Sequence, residues 1–156
     1  MAEGRLLPLR KGLYLAPKHA FWGTAHPTES ELLRAFFAGR PYLRTGPSVW
    51  NSLGLGTTAV EARPLVYNTT RTGTENLAGR TFELRRVRFP RSPDPEFFVV
   101  DLLSNVDRMD QPLEEVLRHL GEAVREERFD TTRLREMAAK FGTAQVQAQV
   151  DRAVEG

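Results

Sequence analysis

The chain has 156 residues, 40% of them hydrophobic and 27% charged, with a net charge of +2; that profile belongs to a globular domain rather than a disordered segment. It has no cysteine, which excludes disulfides, thiolate nucleophiles and Cys-ligated zinc or iron–sulfur centres. No stretch approaches the roughly 18 apolar residues that cross a bilayer, and no signal-peptide run opens the sequence, so the cytosol is the expected compartment and no membrane partner is expected.

Charge is unevenly placed. Residues 1–100 hold 14 Lys/Arg against 8 Asp/Glu, whereas residues 101–156 hold 8 against 12. Nineteen of the 22 basic residues are Arg. That choice favours bidentate contacts to phosphate or carboxylate and is equally consistent with a GC-rich genome. A basic front and an acidic back suit an anionic partner bound at one end.

In chain order, Leu6–Leu9 and Leu13–Ala16 are apolar runs around Arg10-Lys11-Gly12 and predict a β-hairpin with a basic turn, closed by Pro17. Residues 18–27 read as loop. Thr28-Glu29-Ser30-Glu31 is a capping-box pattern, and Leu32, Leu33, Phe36 and Phe37 behind it predict a helix stopped by Gly39. Tyr42-Leu43 is a short strand. Gly46-Pro47-Ser48 opens a second helix, Val49 to Leu53, ended by Gly54 and Gly56. Pro64–Thr69 is a strand and Arg71–Asn76 a polar turn. Thr81–Val87 is a half-buried strand beside Pro64–Thr69 in one sheet, with Phe82 and Leu84 expected on opposite faces. Residues 90–95 form a rigid loop, and Phe97–Val100 is either a further strand or the lead-in to a helix over 101–106. Three apolar stripes then predict helices: Leu113, Val116, Leu117, Leu120 and Val124; Leu134, Met137, Ala138 and Phe141, capped by Asp130; and Val146, Val150 and Val154. Leu32, Phe36, Leu53, Leu55, Leu117, Leu120 and Leu134 are the expected core. The fold class is α+β: a small mixed sheet with a basic N-terminal hairpin, two early helices and a three-helix tail.

No catalytic constellation stands out. His19, His26 and His119 lack acidic neighbours at ligand spacing, and no HExxH, GxSxG, P-loop or GxGxxG occurs, so neither metal nor cofactor is expected. Gly54-Leu55-Gly56-Thr57-Thr58 lacks the lysine of a Walker A loop and reads as a helix stop and a turn. Glu114-Glu115 and Glu126-Glu127 read as solvated helix surface. Arg80, Arg85, Arg86, Arg88 and Arg91 place five guanidinium groups in twelve residues. They are either an anion-binding edge or an edge strand guarded by charge against sheet-to-sheet pairing. Arg5, Arg10, Lys11 and Lys18 surround the first hairpin, a basic tip suited to the DNA backbone or simply a solvated turn.

Several segments together resemble the AbiEi-type antitoxins, the transcription-regulating halves of type IV toxin–antitoxin pairs, and their winged-helix relatives. Gly4–Pro17, with its Arg10-Lys11-Gly12-Leu13-Tyr14 core, looks like the wing of such proteins. Leu43-Arg44-Thr45-Gly46-Pro47-Ser48-Val49-Trp50-Asn51-Ser52-Leu53-Gly54-Leu55-Gly56-Thr57-Thr58 is similar to the family's strand–helix–LGLTT element. Pro64–Thr69 fits the strand after it, and Leu134–Phe141 the helical tail. Two departures stand out. Ala59-Val60-Glu61-Ala62 replaces the usual Gln-Val-Pro. The family also carries a helix–turn–helix before the wing, whereas this sequence starts a few residues ahead of it. Base-specific DNA binding is therefore not expected of the chain by itself.

The resemblance implies a wing-like remnant over 1–17 and a single antitoxin-like body over 18–156, helical from about 101. It implies a non-enzymatic regulator whose partner is a nucleotidyltransferase-type toxin encoded beside it, with weak DNA contact through Arg5, Arg10, Lys11, Lys18, Arg85, Arg86 and Arg88. Glu114, Glu115, Glu122 and Glu126 would supply charge toward the toxin, and Val146, Val150 and Val154 its apolar anchors. A stand-alone nucleic-acid-binding module and a small enzyme built from His19, His26, Asp94 and Asp101 are the rival readings.

Overall fold

A computed structural model describes residues 26–156 in full and, ahead of them, the backbone of four strands between residues 7 and 25. The chain groups into two compact units, Met1–Arg44 with Arg63–Val87 and Thr45–Ala62 with Arg88–Gly156, where the sequence reading expects one body after residue 17.

In unit 1, β1 (Leu7–Arg10) and β2 (Leu13–Leu15) pair antiparallel, as the apolar runs around the basic turn predict. Residues expected as loop form a second hairpin of β3 (Lys18–Ala20) and β4 (Gly23–Ala25). Strands of three residues are too short to show an alternation, which is why the pattern misses them. Helix α1 (Glu29–Phe37) starts at the expected box: Thr28 Oγ1 accepts from Glu31 N at 3.2 Å, and Glu31 Oε1 accepts from Thr28 N at 2.8 Å. It ends where Ala38 and then Gly39 turn left-handed, at φ 49° and 89°.

The sheet of unit 1 has the order β5 (Tyr42–Thr45), β6 (Leu65–Asn68), β8 (Arg80–Arg86), β7 (Gly73–Leu77). Leu32, Leu33, Phe36 and Phe37 of α1 form one core with Val66, Leu77, Phe82 and Leu84. Phe82 and Leu84 thus share a face, against the expectation, because residues two apart on a strand point the same way. The polar turn expected at Arg71–Asn76 is largely strand β7. It takes the last place in the sheet order, so Thr74 and Asn76 stay exposed and no apolar run announces it. Its link to β8 is the pair Ala78-Gly79, at φ 52° and 85°, the left-handed two-residue turn that suits a hairpin.

Strand β8 is paired on both sides, parallel to β6 and antiparallel to β7. It is an interior strand, so its arginines do not guard a sheet edge. Because β8 lies between β6 and β7, residues 69–72 must cross over the end of β8 at Arg86, which is in register with Asn68.

In unit 2, α2 (Pro47–Asn51) is followed by an extended run in which Leu55, Thr57 and Ala59 are buried and Thr58 and Val60 exposed. Helix α3 (Pro95–Ser104) is capped by Asp94, whose side chain accepts from Phe97 N at 2.9 Å. Residues 97–100 are thus neither a strand nor a lead-in, and the helix starts before 101. Phe97, Val99, Val100, Leu102 and Leu103 are all buried together with Glu96 and Asp101. A helix covered on nearly every side has no apolar stripe to read. A short turn at Val106–Arg108 leads to α4 (Leu113–Arg125), α5 (Thr131–Phe141) and α6 (Ala144–Glu155), the expected three-helix tail, with Asp130 and Thr143 as side-chain caps. Of the expected core, Leu32, Phe36, Leu55, Leu117, Leu120 and Leu134 are buried and Leu53 is half-buried.

Candidate interaction site

A cleft of 610 Å³ in unit 2 lies where α2 and its exit turn meet the start of α3 and the Arg128-Phe129 corner. Pro47 at the first position of α2 and Pro95 at that of α3 fix both helix starts. Val49, Leu53, Pro93, Pro95, Phe98 and Phe129 supply apolar walls, and Ser52, Asp94 and Arg128 are its polar members. The exit turn needs its glycine: Gly54 sits at φ 72°, and a Cβ there would stand 2.6 Å from Arg128 Nη2. Arg128 Nη2 donates to the carbonyl oxygens of Leu53 and Gly54 at 3.0 and 3.2 Å. Its guanidinium lies 5.8 Å from the Phe129 ring centroid and 3.7 Å from Glu126.

Asp94 closes the other side. Arg133 donates to Asp94 Oδ2 through Nε at 2.9 Å and Nη2 at 2.6 Å, and through Nη1 to Glu136 at 2.5 Å. Partial burial pushes the Asp94 carboxyl up, but the bonds from Arg133 and from the Phe97 N–H outweigh it and hold it below its ordinary value. The same pair raises Arg133.

Deeper in unit 2, Asp101 is a buried carboxylate. It accepts from Thr45 Oγ1 at 2.5 Å and from Trp50 Nε1 at 3.0 Å, while Asn105 Nδ2 donates to its backbone oxygen at 2.8 Å. This polar centre joins α2 to α3.

The residues singled out by sequence fall as follows. Arg5 and Lys11, with the side chains of Arg10 and Lys18, lie outside the described residues. Arg85 and Arg86 belong to unit 1 and Arg88 to unit 2, where its guanidinium stands 5.7 Å from the Phe141 ring centroid; the three are not one strand face. Glu114, Glu115 and Glu126 are exposed and Glu122 half-exposed, but arginines are interleaved with them. Glu114 pairs with Arg152 at 3.1 Å and Glu122 with Arg118 at 2.9 Å. Glu114, Arg152 and Arg118 border a 250 Å³ depression over Gly121 and Ala153. Val146 and Val150 are buried inside unit 2 and Val154 half-buried. The first two are core and not surface anchors, because α6 turns that stripe toward the other helices of its unit. Of the enzyme reading's residues, His19 and His26 are in unit 1, whereas Asp94 and Asp101 are in unit 2 and engaged as described. Among the described residues no three His, Asp or Glu side chains gather as a metal-binding group, and no helix is long and apolar enough to cross a membrane.

Compared with family models, curated proteins and solved structures, the chain gives no match.

Sequence reading missed the cleft. The signals were present as two Pro-opened helices and a Gly54/Gly56 exit turn, but which loop meets Arg128 is a tertiary fact. Charge shows a sharper division by unit than by sequence half. Unit 1 carries 12 Lys/Arg against 5 Asp/Glu, and unit 2 carries 10 against 15.

Proposed function

We propose that this chain is a non-enzymatic, antitoxin-like regulator whose acidic unit captures a nucleotidyltransferase-type toxin and whose basic unit makes weak, non-specific contact with DNA. The observation that carries the reading is the charge division by compact unit, net +7 in one and −5 in the other. A protein with two partners of opposite charge needs such a division. A polyanion is drawn to the basic unit, and an enzyme with a cationic nucleotide cleft to the acidic one. The resemblance of Leu43–Thr58 to the antitoxin element agrees with the strand, helix and double-glycine turn found there. With Val146 and Val150 buried, the 610 Å³ cleft supplies the apolar anchorage that acidic side chains alone do not provide.

The test is co-expression with the product of the adjacent gene. Growth arrest by that product alone, relief by this chain and co-purification of the two support the reading. A neighbour that is not a nucleotidyltransferase, or one that is neither captured nor neutralised, overturns it.

A further inference from the structure

The carboxyl ends of the parallel strands β6 and β8 carry a surface that the capture of a toxin does not use. Asn68 is fully buried at the end of β6 and organises the loop above it. Its Oδ1 accepts from Thr70 N at 2.9 Å, Thr70 Oγ1 at 3.0 Å and Arg71 N at 2.9 Å, and its Nδ2 donates to the Arg71 carbonyl at 3.0 Å. Thr72 Oγ1 accepts from Arg86 N at 2.9 Å and ties the loop to the end of β8. The loop is thereby held across the strand end, while Thr69, Thr70, Arg71, Thr72 and Arg86 remain exposed.

We propose that the loop Thr69–Thr72 together with Arg86 is a contact site for the phosphate backbone of duplex DNA. Hydroxyl, backbone N–H and guanidinium groups are the donors that proteins bring to DNA phosphates without reading sequence. Here the Thr70 N–H and hydroxyl and the Arg71 N–H are spent on Asn68. The donors left on the exposed loop are the Thr69 and Thr72 hydroxyls and the Arg71 and Arg86 guanidiniums. The backbone that carries them is already held, so little backbone entropy is lost on binding. Residues 69–74 and 84–87 contain three arginines and no Asp or Glu. Among the described residues Glu75 meets the loop, paired with Arg71 Nη1 at 2.8 Å; a phosphate competes with it for that guanidinium. The surrounding unit is net +7, which favours a polyanion over a protein surface of mixed charge. The carboxyl ends of parallel strands are also where open sheets present ligand-binding loops. This inference deepens the DNA half of the function proposed above by adding to the N-terminal hairpin a second site, and the toxin half does not bear on it.

The experiment is a titration of a mixed-sequence DNA duplex with the full chain over a series of salt concentrations. Four proteins are compared: the parent, Arg71→Ala/Arg86→Ala, the hairpin variant Arg10→Ala/Lys11→Ala, and Arg118→Ala/Arg125→Ala, which removes two charges from unit 2. Both loop side chains are exposed, and the bond to Thr72 comes from the backbone of Arg86, so the loop variant keeps its fold. Circular dichroism checks this, and Arg86→Ala alone serves if the pair unfolds. In the loop variant the slope of log K against log salt is expected to be shallower by about 0.9 for each phosphate that is no longer neutralised, about 1.8 for the two arginines. The unit 2 variant is expected to keep the parent slope. An unchanged slope in the loop variant, or an equal change in the unit 2 variant, overturns the site. If the hairpin variant alone has a shallower slope, DNA binding stands and the loop assignment fails; if the parent binds no duplex, both fail.

Discussion

The two units hold themselves together with different chemistry. In unit 1 the α1–sheet core is hydrocarbon, the buried amide of Asn68 lies at the end of β6, and charge is kept at the rim: Glu29 accepts from Arg44 at 2.6 Å and from Arg80 at 3.1 Å, all three partly exposed. In unit 2 a carboxylate sits in the interior, and α2 is joined to α3 through Asp101. Rim ion pairs contribute little because water screens them. A buried carboxylate must keep every donor it has, since each unsatisfied partner bears its full desolvation penalty. The same residue type therefore carries different weight in the two halves of the chain.

The largest expected effect is in the hydrocarbon interior. Phe82→Ala in β8 removes a fully buried ring and is expected to cost about 3–5 kcal/mol in urea unfolding; Leu117→Ala in α4 should cost about 2–5 kcal/mol, toward the low end because Leu117 is 6% exposed. A cost below about 0.5 kcal/mol at Leu117 would mean that its stripe is a partner face.

The comparison is sharpened by removing one carboxylate from each unit. Asp101→Ala leaves Trp50 Nε1 and Thr45 Oγ1 without their acceptor and should cost about 3 kcal/mol, whereas Glu29→Ala should cost about 1 kcal/mol or less. Equal costs would break the contrast between buried and rim carboxylates.

A smaller effect is expected with pH. The Asp94 carboxyl is held below its ordinary value in the folded chain, so its pairing stabilises the fold above the unfolded Asp range, near pH 4. That contribution disappears as pH falls through the lowered folded value. Asp94→Asn, which can still cap α3, should make stability fall less steeply on the acid side. An identical acid limb in parent and variant would contradict the assigned pairing. Last, Thr28→Ala should cost about 1 kcal/mol through loss of the α1 cap, read as a small shift in the urea midpoint.

What could be read in advance follows the same division. Where one face is wet and the other dry, the sequence announces the element: α1, α4 and α5 are recognised from their stripes and from Thr28 and Asp130 as caps. Where both faces are covered, as in α3, the pattern vanishes and Phe97–Val100 imitates a strand. Where the element is at the end of the sheet and polar, as in β7, strand imitates turn. The candidate site was less legible than the fold. Glu114 is exposed as expected and Glu122 half-exposed, but Arg152, distant in sequence, and Arg118, one helical turn away, share their surface. Val146 and Val150 look too thin a stripe for core, yet a short helix packed within its own unit needs no more. The Asn68 loop was invisible because its surface depends on which strand lies between β6 and β7.

The proposed function has the acidic unit meet the toxin and the basic unit stay clear of it. It is tested most directly by the association rate of the purified chain with the adjacent gene's product, measured at rising ionic strength for Glu115→Lys and for Arg71→Ala/Arg86→Ala. Expected are a parent rate that falls with salt, slower association for Glu115→Lys and an unchanged or faster rate for the arginine pair. Slower association from the arginine pair with no slowing from Glu115→Lys would place the partner on the basic unit and contradict the proposed function.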